Sequence, residues 1–173
     1  MDESSDTPPL PQKNLMTPEG HAALAAEYHH LWHIERPRIV EIVSWAASNG
    51  DRSENGDYLY NKKKLREIDR RVRYLTKQLD TAEIVDPRRQ QGVDRVFFGA
   101  TVTYLRESGA SVTVKLVGVD EADVAQNKIN WQSPVGGALW RKAEGDIARV
   151  KTDAGEEDLE IVRIIYLVPC LTH

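Results

Sequence analysis

Asp51 and Glu54, three residues apart in Gly50-Asp51-Arg52-Ser53-Glu54-Asn55, are the residues whose types and spacing point most directly to chemistry. Two carboxylates so placed can hold a divalent cation, or a water on it, at a site whose other ligands come from elsewhere. They are too few for a protein-only cage, because magnesium keeps several waters and takes substrate phosphates to finish its octahedron. The pair also has a structural reading. An acid three residues before a glutamate at a helix start resembles a capping box, and both carboxylates then favour the positive helix end by about 0.3–1 kcal/mol. The residues alone leave both readings open.

Two helical patterns flank the pair and must position it. Thr17-Pro18-Glu19 is a helix start: a hydroxyl cap, proline at the first helical position, then an acid near the positive dipole end. Leu24, Tyr28 and Leu31 form an apolar stripe that resumes at Ile39, Ile42, Val43 and Ala46. Pro37 lies between and is expected to bend the helix without ending it; Asn49-Gly50 is a stop. Leu65, Ile68, Val72, Leu75, Leu79 and Ala82 then repeat at alternating spacings of three and four, a coiled-coil seam. From Asn55 to Glu83 the pattern would span about 43 Å, and Asp86-Pro87 ends it. A short link between amphipathic helices predicts an antiparallel hairpin over residues 15–86, with Asp51 and Glu54 at its tip, residues 50–56.

The second helix bears a basic stripe. Between Lys62 and Lys77 stand eight basic residues against two acids. At 100° per residue, Lys62, Lys63, Arg66, Arg70, Arg73 and Lys77 share an arc of roughly 100° away from the seam, with Lys64 and Arg71 on the other flank. A solvated face that keeps a coiled coil soluble is the plain reading. A face of one sign, with neither of those two acids inside its arc, fits a polyanion instead, and because phosphate attraction carries no sequence information the partner could be single-stranded.

After Pro87 the period changes. Val96–Leu105 reads as a strand, Glu107-Ser108-Gly109 as a turn, and Val112, Val114 and Leu116 alternate with polar residues. Asn127–Trp131 suggests another strand and Ser133-Pro134 opens a short helix through Lys142. Ile147–Val150 and Leu159–Tyr166 suggest two more strands around Asp153-Ala154-Gly155. The expected class is α+β: a helical hairpin, then over residues 87–173 a small antiparallel sheet with one helix. Residues 1–14, polar with Pro8, Pro9 and Pro11, are expected to be disordered.

Composition narrows the classes. The 173 residues are 40% hydrophobic and 29% charged with net charge −4, ordinary for a soluble protein. No apolar run approaches the ~20 residues of a membrane span, and residues 1–14 lack the pattern of a signal peptide, so a cytoplasmic location is expected. Cys170 alone permits neither an internal disulfide nor a cysteine metal site. His29 and His33 share a helix face but lack the glutamate of a zinc-protease motif. Asp120-Glu121-Ala122-Asp123 spells a helicase box with no phosphate-binding loop before it. Trp32, Trp45, Trp131 and Trp140 are read as packing residues rather than stacking surfaces, with Trp45 undecided.

Asp51-Arg52-Ser53-Glu54-Asn55 followed by Asp57-Tyr58 resembles the tip signature of the Gre transcript-cleavage factors (GreA/GreB) of bacterial RNA polymerase. The run from Asn61 through Leu75 is similar to the more basic GreB branch. Val117 through Asp123, Ser133-Pro134 with Ala138-Leu139, and Gly145-Asp146 resemble the family's C-terminal globular domain, which is FKBP-like. The resemblance covers about residues 16–168; Gly56 is looser than the family pattern.

The resemblance implies a transcription elongation factor that enters the polymerase's secondary channel and stimulates cleavage of the 3′ end of backtracked nascent RNA. Asp51 and Glu54 would share a Mg2+ with the polymerase, assisting catalysis in trans; the chain is then not itself an enzyme. Asn55, Asp57 and Tyr58 would support the tip, Tyr58 either touching the extruded nucleotide or sitting in the seam. The basic stripe would hold RNA phosphates, and Asp120, Glu121, Ser133 and Pro134 would dock on the polymerase. A monomer that uses no membrane is expected. Two alternatives stand beside this: a channel-binding regulator or inhibitor of polymerase without cleavage activity, and a prolyl isomerase. Fold likeness alone does not support the second.

Overall fold

The computed structural model describes residues 10–50 and 55–166. Contacts divide the chain into His21–Ala82 and a second unit formed by Met1–Gly20 with Glu83–His173.

Helix α1 (Pro18–His30) starts at the expected place, with the Thr17 hydroxyl accepting from the Gly20 N–H at 3.1 Å. A π-helical turn, Leu31–Glu35, joins it to α2 (Arg36–Ser48), and the Arg36 N–H donates to the Leu31 carbonyl five residues back. This turn explains how the apolar stripe survives Pro37. Leu31 and Ile39 are eight residues apart, which in an unbroken α-helix leaves them about 80° out of line. A π turn absorbs one residue and brings them back onto one face. Accordingly Leu31 and Ile39 pack in the same cluster, with Ile42, Val43, Leu65, Ile68 and Val72.

Helix α2 ends at Asn49, whose N–H donates to the Ala46 carbonyl at 3.2 Å, and Gly50 at φ +127° carries the chain out of the helix. Helix α3 (Gly56–Thr81) has 26 residues, about 39 Å. Ile68, Val72 and Leu75 of the expected seam are buried, each contributing about 1.5–3 kcal/mol. The helix stops short of Glu83. Ala82, expected as its last seam position, opens strand β2 (Ala82–Ile84), which pairs with β1 (Asn14–Met16). Three-residue strands offer too few positions for alternation to be read. Of residues 1–14, Leu10 packs against the globular core and Asn14 opens β1.

The globular unit is a five-stranded sheet in the order β5-β4-β3-β7-β6, from β3 (Thr101–Leu105), β4 (Ser111–Val117), β5 (Lys128–Asn130), β6 (Ile147–Thr152) and β7 (Gly155–Ile165). Pairings β3–β4, β3–β7 and β6–β7 are antiparallel. Strand β5 runs parallel to β4, so the sheet is mixed where an all-antiparallel one was expected; the loop after β4 returns the chain before β5 begins. The strand expected from Val96 begins only at Thr101, because Gly99 turns at φ +85°. Helix α4 (Pro134–Leu139) stops before Lys142, with Arg141 at φ +66°. Trp131, Phe98, Leu116, Leu139 and Ile161 fill the core. Among the described residues no helix is long and apolar enough to cross a membrane.

Candidate nucleic-acid interface

The stripe residues Lys62, Lys63, Arg66, Arg70, Arg73 and Lys77 are all exposed on α3. The bases on the other flank are neutralised from the first arm of the hairpin. Arg71 makes a two-pronged pair with Glu27 at 2.6 and 2.9 Å, and Lys64 lies 3.4 Å from Glu35, which also takes Arg38 at 2.7 Å. Hydrogen bonding from Arg71 lowers the Glu27 pKa below its ordinary value; Arg38 first, then Lys64, lowers that of Glu35. Among the described residues no stripe side chain has a carboxylate partner. The Lys62 ammonium donates to the Tyr58 hydroxyl at 2.9 Å, a neutral partner that leaves its charge uncompensated. Exposed ion pairs add little stability; their placement here sorts the cations, cancelling those that face α1 and α2 and leaving a single-signed face.

Beside that face lies a groove of about 830 Å³ within the hairpin, lined by Trp32, Arg36, Lys63, Arg66, Arg70 and Arg73, among others. Trp32 is 43% exposed. It lies nearly parallel to Tyr28, centroids 6.5 Å apart, with the Arg36 guanidinium 5.3 Å from its ring centre. Arg36 is held by Asp69 at 2.8 Å. Trp32, expected as a packing residue, is instead open to the groove, because the turn it sits on places it at the groove wall; Arg36 was not singled out from the sequence. The available signal was the i,i+4 series Tyr28, Trp32, Arg36, and the π turn that tips it toward the groove is not visible in a hydrophobic pattern. Trp131 is buried and Trp140 half-buried, as packing residues should be, while Trp45 is exposed.

Asp51 and Glu54 lie outside the described residues. Their neighbour Asn55 is the N-cap of α3: its amide oxygen accepts from the Tyr58 N–H at 3.2 Å, and its amide N–H donates to the Ala46 carbonyl at 2.8 Å. One side chain thus caps α3 and ties it to α2. A capping box led by Asp51 would put the cap four residues earlier than the one α3 uses. Asp57 lies in the first turn, where its charge meets the positive end of the helix. Tyr58 is buried, in keeping with a seam position.

Three of the four globular positions, Glu121, Ser133 and Pro134, do local structural work. The Glu121 carboxylate accepts from the Thr17 N–H and the Gly118 N–H, both at 3.1 Å, and from the Thr17 hydroxyl, so it anchors the start of α1. Ser133 caps α4, accepting from the Gly136 N–H at 3.2 Å, and Pro134 is its first residue. Asp120, beside Glu121, is half-buried. The rings of His29 and His33 lie 4.7 Å apart and tilted by 39°, and among the described residues no three acids, histidines or cysteines gather to hold a metal.

Comparison with known proteins adds family relationships to this geometry. Residues 14–84 match the family model "Transcription elongation factor, N-terminal" and residues 90–166 match "Transcription elongation factor, GreA/GreB, C-term". The chain is 54% identical over 155 residues to a transcription elongation factor GreB of Neisseria meningitidis serogroup B, covering 90% of this chain and 95% of that protein. It is 47% identical over 153 residues to the GreB of Pseudomonas putida, covering 88% and 94% respectively. Among solved structures, the GreA factor homolog Gfh1 of Thermus thermophilus aligns with a TM-score of 0.41 at 23% identity, covering 88% of this chain and 99% of its own.

Proposed function

The chain belongs to the GreA/GreB family of transcription elongation factors, and we propose that it rescues RNA polymerase stalled on a backtracked transcript. On this reading the hairpin enters the polymerase's secondary channel and stimulates cleavage of the extruded RNA 3′ end. Asp51 and Glu54 are the residues delivered there. The observation that supports this assignment is the cap of α3: Asn55 holds the N-cap position and accepts from the Tyr58 N–H, so the acid pair is not needed as the N-cap residue of that helix.

Two carboxylates are hard oxygen donors suited to Mg2+, and as a pair they need further ligands from a partner. Magnesium held between such groups supplies water activation and charge stabilisation at a phosphodiester. The chain's own contribution is placement. Asn55 fixes the α3 start against α2, Asp57 reinforces its positive end, and the unpaired cations of α3 hold the extruded strand by its phosphates. The polymerase supplies the remaining carboxylates, so the chain completes an active site it does not itself contain.

The test is a purified, backtracked polymerase complex. Wild-type protein should accelerate release of a short 3′ RNA fragment, and Asp51→Ala or Glu54→Ala should abolish the acceleration while polymerase binding survives. Full cleavage by the double variant would sink the reading. Inhibition without cleavage by the wild type would favour a regulator that only occupies the channel.

A further inference from the structure

We propose that Trp32 is a stacking surface for an unpaired RNA base, which the stripe presents by gripping the flanking phosphates. This deepens the reading of the stripe as an RNA contact and rests on it. Three observations converge on the groove. First, an indole 43% exposed is a large apolar surface left open to water, and it sits on a π turn, a geometry often found at functional positions. Second, the groove that exposes it is lined by Arg36, Lys63, Arg66, Arg70 and Arg73, with Asp69 the one acid, and that acid is engaged by Arg36. Third, a second hollow that shares Trp32 and Arg73 with the first runs along Tyr28 and Lys77 to Asp80, so cations lie on both sides of the ring and the one acid of this second hollow sits at its far end.

An aromatic ring set in a line of cations matches single-stranded nucleic acid, whose phosphates and bases alternate. Stacking is indifferent to base identity, because every base has a π-face. The site would therefore add affinity for RNA as RNA, with no sequence preference of its own. An acidic protein segment would satisfy the cations but leave the indole without a flat partner, so RNA is the occupant the groove fits. The Arg36 guanidinium over the ring and the nearly parallel Tyr28 ring restrain the indole, which limits the ordering cost when a base arrives.

The experiment uses the full chain and two fluorescent oligomers of equal length and charge, a single-stranded RNA and its abasic ribose-phosphate counterpart. Wild type should bind the RNA about five-fold tighter or more. Trp32→Ala should erase that preference by weakening RNA alone, and Trp32→Phe should keep most of it. Equal wild-type affinity for both oligomers would overturn the stack while leaving the phosphate contacts standing. Binding of neither would remove the stripe reading and the stack together. Equal weakening of both oligomers in Trp32→Ala, or poly-glutamate of matched charge binding as tightly as RNA, would also defeat the proposal. Should Trp32→Ala fail to fold, as far-ultraviolet circular dichroism would reveal, the wild-type comparison and Trp32→Phe still decide it.

Discussion

The Asn55 amide N–H donates to the carbonyl of Ala46 at 2.8 Å, so the residue that begins one arm of the hairpin fastens the end of the other. Ala46 is fully buried, and its carbonyl also receives the Asn49 N–H. A single asparagine amide thus satisfies an orphan donor of α3 and fixes the spacing of the two arms where the acid pair is attached.

Replacing this residue separates its two jobs. Asn55→Ala loses the cap and the tie, and should destabilise the hairpin by about 1–2 kcal/mol. Asn55→Asp keeps an acceptor for the Tyr58 N–H but removes the donor to Ala46, and should fall between wild type and Asn55→Ala. Denaturant unfolding of the three proteins checks the order. If Asn55→Asp equals wild type, the tie to Ala46 contributes nothing.

The Glu27–Arg71 pair gives stability a pH dependence of predictable sign. Its folded-state pKa is lowered, chiefly by hydrogen bonding from Arg71, so the folded chain binds fewer protons than the unfolded one in that range. The contribution is therefore full above the ordinary value of 4.5 and is lost as pH falls through the folded-state value. Both side chains are more than a third exposed, so its size should be about 0.2–1 kcal/mol. Melting of wild type and Glu27→Gln should differ at about pH 7 and converge only once the pH falls below the lowered folded-state value. A difference that persists in acid would assign the effect to packing rather than charge.

Much of the arrangement was legible because long periodic elements announce themselves. The α3 seam and the Thr17 cap were readable from spacing, as was the resumption of the stripe at Ile39. What escaped depended on partners distant in sequence. That Arg71 and Lys64 are neutralised while Arg70 and Arg73 are not follows from Glu27 and Glu35, more than twenty-five residues upstream. A helical wheel of α3 alone separates the faces but cannot say which are cancelled. The parallel β5 was hidden by its three-residue length. Glu121 was expected to dock on the polymerase, and its turn toward Thr17 becomes visible only once the residues after β1 are placed beside the β4–β5 loop.

That sorting of charges makes the final prediction quantitative. If the open face of α3 grips phosphates, each cation removed from it should lower the salt slope for single-stranded RNA by about 0.7. The triple variant Arg66→Ala, Arg70→Ala, Arg73→Ala should then lose about two from the slope of log affinity against log salt. The double variant Lys64→Ala, Arg71→Ala should lose far less, because those charges already face Glu35 and Glu27. Titrations at several salt concentrations between about 50 and 200 mM separate the two. Slopes reduced equally by both variants would mean that RNA responds to the net charge of the hairpin rather than to the unpaired face. The distinction between cancelled and open cations would then have no bearing on binding.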